Sequence, residues 1–162
     1  MYPQDNLVTV LQHLPWFNGM NPNQLEQLAR IATIYNFEPG DLLFSEGDRD
    51  DSLYVLLEGQ VTMEIEVPTR GQTAYYIAEM LDIIGWSSMT PIVRQRIARA
   101  RATQASLVLG FNSKLLQQLC DDDQEIGYVV FRKLANVVAN GLLTMRLCLM
   151  EIIVHPVEQQ IR

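Results

Sequence analysis

The apolar positions of the chain change period twice. Between residues 6 and 14 (N-L-V-T-V-L-Q-H-L) they recur at Leu7, Val10, Leu11 and Leu14, the spacing of one helical face, and Pro15 stops the pattern. The next segment, N-P-N-Q-L-E-Q-L-A-R-I-A, carries its own start signal. Asn21 can cap, Pro22 suits the first helical position, and Gln24 stands three after the cap. Leu25, Leu28, Ala29 and Ala32 are expected on its buried face. After Tyr35 the period shortens to that of strands broken by turns. E-P-G-D at 38–41 reads as a turn with Pro second and Gly third. L-L-F-S is a strand, E-G-D-R-D-D at 46–51 a charged loop, and S-L-Y-V-L-L-E-G at 52–59 a buried strand ended by Gly59. Val61, Met63, Ile65 and Val67 alternate as a half-buried strand. P-T-R-G-Q at 68–72 then turns the chain into a return strand over 73–78, and 106–111 forms the final strand. This succession predicts an antiparallel sandwich or barrel.

Helical spacing returns at the end. Ser113 is expected to cap K-L-L-Q-Q-L-C, and Asp121 to Asp123 form a second capping region with their charge at the favourable helix end. No proline interrupts 125–153. Ile126, Val130, Leu134, Val137, Gly141, Met145, Cys148 and Ile152 make a near-heptad stripe, with Val129, Val138, Leu142 and Leu149 beside it. The stripes are too long for one small sandwich to cover. The first half is therefore expected on the strands and the second half, 137–153, against a partner helix, with Gly141 permitting close approach.

Composition narrows the classes. A chain of 162 residues with 48% hydrophobic and 19% charged residues is long enough for one domain with a full core. Its net charge of −7 disfavours broad contact with nucleic-acid phosphates. The N-terminus M-Y-P-Q-D-N lacks the basic start and apolar run of a signal peptide, and Cys120 and Cys148 match no metal or redox spacing, so the cytoplasm is the expected compartment. The apolar run 134–154 is interrupted by Asn136, Asn140, Arg146 and Glu151, so no membrane span is expected.

One stretch reverses the local sign. Residues 84–102 read I-G-W-S-S-M-T-P-I-V-R-Q-R-I-A-R-A-R-A and hold Arg94, Arg96, Arg99 and Arg101, four of the twelve basic residues. A Gly/Ser turn offers backbone N–H groups and hydroxyls, and a guanidinium offers a planar fork of donors. Together these are the parts of an anion site, most naturally for phosphate. The alternative is a surface loop followed by an arginine-rich strand. Ala98, Ala100 and Ala102 alternate as the close-packed face of that strand, opposite Ile97, Arg99 and Arg101.

The order of helices, strands, glycine turn with arginines, and long helix resembles the cyclic nucleotide-binding domain of bacterial catabolite activator proteins, kinase regulatory subunits and gated channels. Two motifs carry the resemblance. L-L-F-S-E-G-D-R-D-D-S-L-Y-V-L-L-E-G at 42–59 looks like the family's turn-strand-glycine signature, with Gly47, Asp48 and Gly59 in place and Asp50 where a small residue is usual. The stretch 84–102 is similar to the family's phosphate-binding cassette, with Gly85, Arg96 and Ala98 at the matching positions. The resemblance implies an antiparallel β jelly roll, or double-stranded β-helix, mainly β with flanking helices. The N-terminal helices would occupy 1–36, the β-roll 37–112 and the C-terminal helices 113–154, with a tail over 155–162. It also implies that Arg96 would pair with a cyclic phosphate, helped by backbone N–H groups near Ser87 and Ser88. Two residues depart from the pattern. Trp86 stands where the family's ribose-binding glutamate would be, and Ile97 where a hydroxyl residue would follow the arginine. Tryptophan cannot accept a hydrogen bond. Loss of such a charge-assisted contact costs about 1.5–3 kcal/mol, roughly 10- to 100-fold in affinity. Ile97 would add bulk beside the phosphate.

Gly85, Trp86, Ser87, Ser88, Arg96, Ile97 and Ala98 are thus the candidate ligand residues. Two functions stay open. One is a regulatory sensor, homodimeric through 137–153, that binds an anionic small molecule such as a cyclic nucleotide and acts on a protein effector. The other is a degenerate module that binds no nucleotide, has Trp86 plugging the pocket, and serves dimerisation or protein docking. With only H-P-V-E-Q-Q-I-R after the long helix, no DNA-recognition helix is expected. Nor is an enzyme, since His13 and His155 stand near opposite ends of the sequence and no nucleophile-elbow or phosphate-loop motif occurs. Glu58 and Glu64 read as solvated strand positions.

Overall fold

In the computed structural model, residues 6–49, 51–68, 71–90 and 95–154 are described. Asp50, Arg94, His155, the tail and part of the 68–72 turn lie outside them, as does the side chain of Ile152. Helix α1, Leu7–His13, starts where the Asn6 side chain accepts the Thr9 N–H at 3.3 Å, and buries Val10 and Leu11. Helix α2, Pro22–Arg30, has the full capping box: Asn21 and Gln24 each accept the other's backbone N–H at 3.0 Å. It ends earlier than its apolar spacing predicts. Ala32 opens strand β1, Ala32–Phe37, instead of closing the helical face. The run A-T-I-Y-N-F is β-branched and aromatic, and it pairs along its whole length with the last strand, so sheet pairing overrides the helical period.

The remaining strands are β2 (Leu42–Phe44), β3 (Ser52–Glu58), β4 (Val61–Val67), β5 (Gly71–Ala78), β6 (Ile83–Ile84), β7 (Arg99–Ala102) and β8 (Ser106–Asn112). They form two antiparallel four-stranded sheets, ordered β1-β8-β3-β6 and β2-β7-β4-β5. Successive strands switch sheets at every connection except the β4–β5 hairpin, which is the jelly-roll pattern.

Strand alternation divides the apolar side chains between two clusters. Leu53, Val55, Leu57, Leu109 and Phe111 face the helices, where they meet Leu11, Leu28, Leu116 and Ile126. Leu56, Val61, Ala78, Ala100 and Val108 fill the space between the sheets.

Helix α3, Ser113–Asp122, is capped by Asn112, whose side chain accepts the Leu115 N–H at 3.1 Å, and not by Ser113. Asn112 closes β8 with extended backbone, the geometry a cap requires, while Ser113 is already helical and buries its hydroxyl. Asp123 does cap the next helix, α4 (Gln124–Val154), accepting the N–H of Glu125 at 2.9 Å and of Ile126 at 3.1 Å. Its carboxyl is held below the usual value, chiefly by the Gln24 hydrogen bond and then by the Ile126 N–H.

At 31 residues, α4 is about 46 Å long. Ile126, Val130 and Leu134 are buried in the helix-side cluster, and burial ends there. Beyond them Leu142 is 70% exposed and Leu147 68%, with Leu143, Leu149 and Met150 each more than half exposed. The segment Gln124–Met150 reaches a mean hydropathy of 1.2, enough to cross a membrane on length and composition. Ile126, Val130 and Leu134 in its first half, however, belong to the domain core.

Candidate functional site

Gly85 follows β6 with φ +78, the left-handed region that favours glycine. It is needed for space as well: a Cβ there would lie 2.3 Å from Arg96 Nη1 and 3.0 Å from the Ser52 carbonyl oxygen. A single 3₁₀ turn, Trp86–Met89, comes next and buries Ser87, Ser88 and Met89. Three donors converge on the Gly85 carbonyl oxygen: the Ser88 amide at 3.1 Å, the Ser88 hydroxyl at 2.8 Å and Arg96 Nη1 at 3.2 Å. Gln117 of α3 ties the turn to the helices by donating to the Ser88 carbonyl at 3.1 Å.

Arg96 is fixed at both ends. Its backbone is clasped by the turn over 45–48: Gly47 N–H donates to the Arg96 carbonyl at 2.9 Å, and Arg96 N–H donates to the Asp48 carbonyl at 2.8 Å. Its side chain runs inward until the residue is only 3% exposed. There Nη2 donates to the Ser52 carbonyl at 2.5 Å, and the guanidinium carbon lies 4.1 Å from the centre of the Phe44 ring and 5.8 Å from that of Tyr54. Burial raises the Tyr54 phenol above its ordinary pKa against the opposing effects of its Ser52 hydrogen bond and the Arg96 charge. The turn-strand-glycine motif and the cassette therefore make one site, because the first positions the arginine of the second.

Ser88 and Arg96 meet at the Gly85 carbonyl, and Ser87 lies in the same turn. Ile97 is 58% exposed, while Ala98 beside it is buried. Trp86 is half-buried and packs on the helix-side cluster. Arg99 and Arg101 do not serve an anion site. Both bind the carboxylate of Glu64, Arg99 through Nε at 2.9 Å and Nη2 at 2.5 Å, and Arg101 through Nη2. Glu64 is therefore not a solvated strand position, being only 3% exposed. Burial pushes its carboxyl up, but hydrogen bonds and charge from Arg101 and Arg99 outweigh that and leave the pKa lowered. The register sets Glu64 of β4 directly opposite Arg99 of β7, and only strand pairing could have revealed it. Sequence reasoning also missed Phe44 as the platform for Arg96.

Elsewhere, a groove of about 460 Å³ lies between the start of α2 and the start of α4, lined by Met20, Gln24, Glu125 and Tyr128 among others, remote in sequence from the cassette. Among the described residues no three His, Cys, Asp or Glu side chains are grouped to hold a metal ion.

Comparison with known proteins places this geometry. A protein from Geobacter metallireducens GS-15, designated a cyclic nucleotide-binding protein, is 25% identical with a TM-score of 0.70, over 88% of this chain and 99% of its own. The N-terminal domain of a transcriptional regulator from Streptomyces coelicolor A3(2) is also 25% identical, with a TM-score of 0.65 over 82% of this chain and 94% of its own. A cyclic nucleotide-binding domain from Methylobacillus flagellatus KT shares the fold at a TM-score of 0.74 and 20% identity, over 90% of this chain and 82% of its own. The sequence model of the cyclic nucleotide-binding domain matches residues 34–123, more than half of the chain, from within β1 to the cap of α4. The chain belongs to the cyclic nucleotide-binding domain family and has its regulatory-domain fold.

Proposed function

We propose that this domain is a cytoplasmic, non-enzymatic sensor that takes an anionic small molecule at Arg96 and signals through α4, which pairs with a second copy of the chain and acts on a protein effector. The observation that carries the reading is the placement of Arg96, with its fork of donors buried between the family's glycine and an aromatic platform. Two of those donors rest on neutral carbonyls. Hydrogen bonds from a guanidinium to an anion are roughly twice as strong as neutral ones, so an entering phosphate or carboxylate can exchange for Gly85 and Ser52. Such an exchange would release the turn that Gln117 ties to α3 and that also touches α4. Ligand binding becomes a signal if it favours one arrangement of α4 over another. The exposed leucines of the outer half of α4 are the surface on which a second copy would pack. Trp86 supplies no carboxylate for a ribose hydroxyl, so cyclic AMP is expected to bind weakly.

The test is thermal stabilisation of wild type and Arg96→Ala by cyclic mononucleotides, cyclic dinucleotides and inorganic phosphate. A ligand at about 100-fold its dissociation constant adds roughly 2.7 kcal/mol. Stabilisation of wild type that disappears in Arg96→Ala is the expected result. Light scattering is expected to give a dimer at micromolar concentration. A monomer at high micromolar concentration would remove the pairing from this reading.

A second reading is favoured by the convergence of Ser88 and Arg96 on the Gly85 carbonyl. The cassette would then be permanently closed on its own backbone, and the domain would serve dimerisation or docking alone. No stabilisation by any member of the panel is its signature.

A further inference from the structure

Which ligand suits Arg96 is decided by what lines the way to it. Tyr35 and Phe37 of β1 alternate with Ile34, and Tyr54 of β3 alternates with Leu53 and Val55, which face the helices. All three aromatic residues therefore face the opposite sheet, together with Leu56 and Val108. Inward-facing residues of a closed roll are covered, yet Tyr35 is 42% exposed and Phe37 and Tyr54 are half-buried. The roll therefore leaves these rings partly in contact with solvent at this end.

The rings form a continuous wall. Tyr35 and Tyr54 meet edge to face with centroids 6.2 Å apart, Tyr54 and Phe44 are stacked at 6.2 Å, and Arg96 sits on Phe44. Gly110 of β8 provides the floor. A Cβ there would come 2.7 Å from the Tyr35 ring and 3.1 Å from that of Tyr54, so both tyrosines lie across β8 only because this position is a glycine. Rings thus follow one another from the partly exposed Tyr35 to the buried guanidinium of Arg96, with no carboxylate at position 86 to read a sugar.

We infer that the ligand is a flat aromatic ring bearing one anionic group, the anion exchanging for carbonyls at Arg96 and the ring lying on the Tyr35–Tyr54 wall. The inference rests on the proposal that Arg96 binds an anion, and narrows it to a chemical class. Ring faces attract an offset or edge-on ring beyond the simple burial of area, which a nonaromatic anion cannot use.

The test is calorimetric titration of the full chain with phenyl phosphate, inorganic phosphate and cyclic AMP. Phenyl phosphate is expected to bind about tenfold tighter than inorganic phosphate or better, as one added ring–ring contact allows. Cyclic AMP is expected to bind no tighter than phenyl phosphate. In Tyr35→Leu the advantage of phenyl phosphate falls below about threefold while the affinity for inorganic phosphate holds, and Tyr35→Phe restores the advantage. Tyr35 is exposed enough for these variants to fold, which circular dichroism checks. Equal binding of phenyl and inorganic phosphate would overturn the aromatic class and leave an anion site standing. An advantage that survives Tyr35→Leu would overturn the wall. Cyclic AMP binding about tenfold tighter than phenyl phosphate would show that the sugar is read after all. No binding of any of the three would remove this inference and the anion site together.

Discussion

Arg96 and Arg99 are three residues apart, yet their charges are held in different ways. Arg96 is 3% exposed and presses its fork against the carbonyls of Gly85 and Ser52 and the face of Phe44. Arg99 and Arg101, whose side chains are 26% and 43% exposed, share the Glu64 carboxylate, itself 4% exposed. A bond to a carbonyl is one that an incoming anion improves on, whereas a bond to a buried carboxylate already has its anion. The Gly85 and Ser52 carbonyls are thus partners that the proposed anion could replace, and the Arg99–Arg101 pair is built to stay. Strand geometry produces the difference. Ala98, Ala100 and Ala102 take the inner face of the segment, so Arg99 and Arg101 fall on the outer face opposite Glu64, while Arg96, an even number of residues from the alanines, is buried on their side.

The largest way to break this contrast is to remove both outer arginines. Arg99→Ala with Arg101→Ala strands the Glu64 carboxylate in a buried position, and such a loss costs about 3–5 kcal/mol. Urea unfolding at neutral pH is the measurement. Adding Glu64→Leu should recover most of the loss, since an apolar replacement leaves no buried charge. A double variant within about 1 kcal/mol of wild type would mean that the pair is replaceable by water.

Much of the fold was legible because local chemistry fixed it. The Asn21–Gln24 capping box, the 38–41 turn and the alternating alanines depend on neighbours within a few residues, and each formed as read. The errors came where a distant strand decided. Ala32 joined β1 because Phe111 lies opposite it, and Glu64 was buried because the β4–β7 register sets it against Arg99. The spacing from Gly85 to Arg96 identified the cassette. The partners that Arg96 takes are backbone carbonyls, and a carbonyl leaves no mark in the sequence, since every residue has one. Ser113 has the residue type of a cap, and so does Asn112 beside it. The end of β8 decided, by placing Asn112 in the extended conformation.

A smaller effect is expected at the inner arginine. Arg96→Ala forfeits two hydrogen bonds from a charged donor and the Phe44 contact, for about 2–3 kcal/mol by urea unfolding. Arg96→Lys keeps the charge but cannot fork to two carbonyls, so it should recover less than half of that loss. Full recovery by lysine would show that charge alone, not the planar fork, holds the cassette shut.

The smallest effect separates the two groups by pH. The folded-state pKa of Glu64 is lowered, so its contribution to stability is complete above the unfolded carboxylate value and is lost as pH falls through the folded one. The carbonyls that hold Arg96 do not titrate, and arginine stays charged throughout the acid range. The part of the stability difference between wild type and Arg96→Ala that rests on those carbonyls should therefore be flat from neutral pH into acid. The difference between wild type and Glu64→Gln should shrink by less than about 2 kcal/mol over the same range, and only in its acid part. The Asp123 cap, whose carboxyl is also lowered, titrates in every variant and cancels in both comparisons. Paired denaturation curves at neutral and acid pH read both differences. A Glu64→Gln difference as flat as that of Arg96→Ala would mean that the Glu64 carboxylate is not held by its arginines in solution. The distinction between an exchangeable arginine and a locked pair would then rest on burial alone.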